Sequence, residues 1–75
     1  MQPYQDLSGN AGVSAYEILE KAIILRFADE GSYLYDYEKP GKRHVEKMKL
    51  LAKAGKGLTT YVNQHIRKNY SRKLE

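Results

Sequence analysis

Ten of the thirteen lysines and arginines fall after Pro40, and Arg67, Lys68, Arg72 and Lys73 crowd into seven residues. Cations gathered this way, with no acid before Glu75, suit a polyphosphate, because each neutralised phosphate releases condensed counterions. They equally suit the dipole at the end of a helix. Gly55-Lys56-Gly57 carries related chemistry. Two conformationally free glycines around a lysine, just before a helix, can turn backbone amides toward a phosphate. The nucleotide-hydrolysing spacing Gly-x4-Gly-Lys-Ser/Thr is missing, and a tight interhelix turn explains the same residues. Thr59 or Thr60 can cap the following helix in either case.

The aromatic content is nearly all tyrosine, seven against one phenylalanine and no tryptophan. Tyr33, Tyr35 and Tyr37 alternate along the chain and so share one strand face. Such a row can stack unpaired bases, or can lie half buried beneath helices with its hydroxyls reaching water. The strands bring no matching set of cations, so core is the expectation. Catalysis has little to build on. His44 and His65 are the only histidines, cysteine is absent, and Ser14, Ser32 and Ser71 occupy no nucleophile elbow. No catalytic residue, metal site or cofactor is expected.

The elements that must position these groups follow from periodicity. Residues 1–12, with Pro3, Gly9, Asn10 and Gly12, read as a flexible arm. Val13–Leu19, Ala22–Ala28 and Ser32–Tyr37 read as strands, with Ile23, Leu25 and Phe27 on one side of the second. Glu20-Lys21 and Asp29-Glu30-Gly31 supply the turns. After Pro40 the period becomes helical. Val45, Met48, Leu51 and Ala52 form a stripe over about 42–54, which Gly55 closes. Leu58, Val62, Ile66 and Tyr70 form a four-residue ladder over about 58–70, with Tyr61 and His65 beside it. The expected fold is α+β: a three-stranded antiparallel meander followed by two helices packed on one face of the sheet. One domain spans 13–70. Residues 71–75 form a basic tail whose Leu74-Glu75 resembles a cloning scar.

The charge divides with the elements. Residues 1–40 carry three bases against seven acids, and residues 41–75 ten bases against two acids. Much of that positive charge has an ordinary home. Lys42, Lys49 and Lys53 share a helical stripe with Glu46 and read as a solvated face. No apolar run approaches the roughly 18 residues of a membrane span. The start Met-Gln-Pro-Tyr-Gln-Asp lacks the layout of a signal peptide, and a cytoplasmic location is expected.

Phe27, Gly31, Tyr33-Leu34-Tyr35, Pro40, Ala52, Gly55 and the run Gly57, Tyr61, Asn63, Ile66, Arg67, Tyr70 resemble the KTSC domain. That module is named for its place at the C-terminus of some lysyl-tRNA synthetases. The resemblance covers about residues 13–70 and implies a role in RNA binding. The expected function is therefore a small non-enzymatic module binding RNA, tRNA-like or otherwise structured. Its phosphate contacts would come from Lys49, Lys53, Lys56, Arg67, Lys68, Arg72 and Lys73, with Gly55-Lys56-Gly57 as a phosphate loop. The alternative is a protein-interaction module, a homodimer or part of a larger assembly, in which acidic and basic halves meet. A third reading is a small phosphate-binding protein using Gly55–Leu58.

Overall fold

Alternating apolar residues put one side of each strand into a dry layer and leave the other outside. The computed structural model describes residues 1–4, 12–28, 30–66 and 68–74. Its elements are β1 (Gln2–Pro3), β2 (Val13–Leu19), β3 (Ala22–Phe27), β4 (Gly31–Asp36), α1 (Lys42–Ala54), α2 (Leu58–Tyr61), a π-helical turn (Val62–Ile66) and β5 (Arg72–Lys73). The strands form one antiparallel sheet in chain order. The three expected strands are its centre, and the sheet has five. Gln2–Pro3, expected as arm, pairs with Tyr16 and Ala15, while Arg72–Lys73, expected as tail, pairs with Leu34 and Tyr33. Two-residue strands are too short to carry a period, which is why the sequence pattern misses them. The expected arm continues through residues 5–11, which lie outside the described residues.

Register assigns the faces. Ile23 lies opposite Tyr35 and Ile18, and Leu25 opposite Tyr33 and Tyr16. The register shift between Val13 and Ala15 adds one residue to β2, so Val13 points inward together with Tyr16 and Ile18. Ile23, Leu25, Tyr35 and Val13 are buried with Val45, Met48 and Ala52 of α1 and with Leu58, Val62 and Ile66. The helices therefore cover this inner face, as expected. The ladder ends early, however. Its α-helical part is Leu58–Tyr61, it widens into the π-helical turn, and Tyr70 lies beyond it with its ring 4.6 Å from that of Tyr33. The helix expected to reach Tyr70 falls short of it, and Tyr70 finds its partners in Tyr33 and Tyr35 instead.

Long-range polar contacts lock the layers together. The Tyr4 hydroxyl accepts the Leu58 amide at 3.1 Å, and Thr59 Oγ1 accepts the Val13 amide at 3.2 Å. Gly12 lies so close to α2 that an added Cβ would stand 2.5 Å from Thr59 Cγ2. At the Asp36 corner the carboxylate accepts the Glu38 and Lys39 amides, and a cis Lys39–Pro40 bond leads into α1.

Candidate nucleic-acid interface

A helix advances about 100° per residue, so the side opposite a Val45–Met48–Ala52 stripe carries Arg43, Lys47 and Leu50. Lys42, Lys49 and Lys53 fall on a flank instead. This corrects the reading of Lys49 as a surface cation. Lys49 is only 9% exposed. Its ammonium donates to the Glu20 carbonyl at 2.9 Å and pairs with Glu46 at 3.0 Å. Glu46 in turn accepts the Tyr37 hydroxyl at 2.7 Å. The network fastens α1 to the β2–β3 turn and engages the Lys49 ammonium within the fold. The Tyr37 bond, followed by Lys49, holds the Glu46 carboxyl below the usual range, and Glu46 pushes the Tyr37 phenol up.

Among the described residues, the remaining expected cations lie at several places, and Lys68 and Lys73 both lie beside Tyr33. Lys53 is exposed at the β1–β2 end, beside Gln2, Tyr16 and Glu17. Lys56 is exposed between the helices. Lys68 is exposed and lines a hollow with Phe27, Glu30, Tyr33 and Tyr70. Arg72 and Lys73 are separated by strand alternation. Lys73 Nζ lies 5.7 Å from the Tyr33 ring centre on the helix side, while Arg72 shares the outer face with Leu34. Neither caps a helix, which corrects the dipole reading of these two. Arg67 lies outside the described residues.

The Gly55-Lys56-Gly57 loop has its own structural cause. Gly55 at φ 77° closes α1 in the left-handed conformation, its amide donating to Leu51 and Ala52 carbonyls, and Gly57 at φ 83° starts α2. Only glycine takes such angles at little cost. The Leu58 amide, which a phosphate would need, already donates to Tyr4. A helical run of four residues also has little dipole to offer. The phosphate-loop expectation is replaced by a turn.

The tyrosine row is likewise no stacking platform. Tyr35 is fully buried, Tyr33 packs against Phe27 and Tyr70 with Lys73 above it, and Tyr37 is held by Glu46.

What the fold does bring together lies across the helical layer. Lys42, Arg43, Glu46, Lys47, Leu50 and Tyr61 line one open groove. Leu50 is 65% exposed on the outer side of α1. The Tyr61 hydroxyl lies 2.6 Å from His44 Nδ1, and its ring is 4.9 Å from that of His65. The histidines, distant in sequence, thus flank one tyrosine. A separate groove is lined by Asn63, Gln64, His65, Lys68 and Asn69. Arg43 and Lys47 were not singled out from sequence. Their signal is the helical wheel, taken relative to the buried stripe, together with the exposed Leu50.

Among the described residues, no group of three or more His, Asp or Glu is placed to hold a metal ion, and no helix is long and apolar enough to cross a membrane. No protein-family model, curated protein or solved structure matches the chain.

Proposed function

We propose that the protein is an RNA-binding module whose ligand lies along the helical layer, from Arg43 and Lys47 past Tyr61 and His65 to Lys68. The observation that carries this reading is the groove in which Lys42, Arg43 and Lys47 surround Leu50 and the Tyr61 ring. Cations next to accessible aromatic and apolar surface match a single strand, whose phosphates need charge and whose unstacked bases need a flat apolar partner. The implied RNA role of the resembling family points the same way. Of the phosphate ligands expected from sequence, Lys68 stays in the proposal, while Lys49 and the glycine loop leave it.

The test is fluorescence anisotropy with a single-stranded RNA, an RNA hairpin and duplex DNA at several salt concentrations. Three phosphate contacts give a log–log salt slope of about −2 on a single strand. Arg43→Glu with Lys47→Glu should abolish binding to the single strand, while Lys53→Glu with Lys56→Glu should change it little. Tyr61→Leu should weaken it by roughly one to two orders of magnitude, the scale of one lost stacking contact. Absence of binding at low salt, or equal damage from both charge pairs, would refute the proposal.

A further inference from the structure

The face of the sheet away from the helices has a charge order of its own. One row across it reads Glu17, Ile24, Leu34, Arg72, each residue directly opposite the next on the neighbouring strand. Glu17 and Arg72 are exposed, and Ile24 and Leu34 are half-buried. The core cluster draws on the helices and the other side of the strands, so no described helix covers this row. An acid at one end, a base at the other and two aliphatics between them make a sequence that reads as its own complement when reversed.

We infer that this face pairs with a second copy of the chain, the two sheets stacked about a two-fold axis that runs parallel to the strands. That axis reverses the order of strands and keeps position along each strand. Glu17 then meets Arg72 of the partner, Ile24 meets Leu34, and the same contacts repeat by symmetry. The other in-plane axis, perpendicular to the strands, would set Glu17 on Glu17 and Arg72 on Arg72. Charge therefore selects one arrangement, close to the aligned packing that stacked sheets adopt.

Edge pairing is the competing route to self-association, and the edges oppose it. β1 contains Pro3, β5 is Arg72–Lys73, and both are two residues long. Short, proline-bearing or cationic edges resist strand addition. The stacked face is small. Four strands about 4.8 Å apart and three residues deep give about 400 Å² per copy, which places the dimer in the weak class.

Sedimentation of the whole chain from about 10 µM to about 1 mM, at low salt, reads the association directly. The mass should rise from 8.6 kDa toward twice that value. Ile24→Lys should hold the chain monomeric throughout. Glu17→Arg and Arg72→Glu should each weaken the dimer by about tenfold, since each reversal sets like charges together twice. The double variant should restore the original association. Circular dichroism at the lowest concentration separates a lost dimer from a lost fold. A mass that stays monomeric at the top concentration would overturn the inference. So would a dimer indifferent to Ile24→Lys, or a double variant no better than either single one. A dimer abolished by Arg43→Glu instead would move the contact to the helical layer and overturn it equally.

Discussion

Ile23 and Ile24 are adjacent, alike in chemistry and on opposite faces of β3, and the fold treats them differently. Ile23 is fully buried between Tyr35, Ile18 and the helical layer. Ile24 is half-buried in a row that ends in Glu17 and Arg72. One face is held by packing, where a methyl group too few leaves a cavity. The other is held by water and charge, where it leaves little. The helical layer repeats the contrast two residues apart on α1, with Lys49 fixed beneath the β2–β3 turn and Lys47 at the outer groove. Residue type does not decide role in either pair. Register does.

The contrast breaks most sharply in the core. Ile23→Ala should cost about 2–5 kcal/mol, and Ile24→Ala under about 1 kcal/mol, by chemical denaturation at low protein concentration. In a domain of 75 residues the first loss consumes much of the total stability. Equal costs would mean that the outer face is covered. Gly12→Ala comes next, at about 1–3 kcal/mol, because its methyl group must displace Thr59 or part β2 from α2. Lys49→Ala should follow, at about 1.5–3 kcal/mol for a charged donor facing a carbonyl, whereas Lys47→Ala should stay within about 0.5 kcal/mol.

The smallest effect is on pH. Asp36 is held below the usual carboxylate range, first by the Ser71 hydroxyl and then by the Lys39 amide, and Glu46 first by the Tyr37 hydroxyl. Groups lowered by folding favour the folded state above their ordinary values, near about 4, and lose that contribution as pH falls through the lowered ones. Tyr37 is raised, so its contribution is complete below about pH 10 and is lost as pH rises through the raised value. The melting temperature should therefore be flat near neutrality and decline at both ends. Glu46→Gln should make the acid decline shallower.

How much of this was legible in the sequence differs by element. α1 was legible to its ends, because a 3.6-residue stripe and a closing glycine both mark it. The strand alternation showed which β3 and β4 side chains face the core. β1 and β5 were not, since pairing partners for two residues are chosen in three dimensions. The second helix was overextended because Tyr70 continues the ladder in sequence while its ring belongs to the sheet. The site was less legible than the fold. Lys49 reads as surface until the Glu20 carbonyl is placed beneath α1. The groove over Leu50 does not exist until the chain reverses and brings Tyr61 beside it. Local spacing cannot encode either fact, because each joins residues from different elements.

The proposed RNA contact lies on the helical layer and the proposed self-contact on the outer sheet face. The most direct test is a titration of the ¹⁵N-labelled protein with single-stranded RNA, at a protein concentration too low for self-association, followed by amide chemical shifts. Arg43, Lys47, Tyr61, His65 and Lys68 should move, and Glu17, Ile24 and Leu34 should stay still. Shifts concentrated on Glu17, Ile24 and Leu34, or no shifts at low salt, would contradict it.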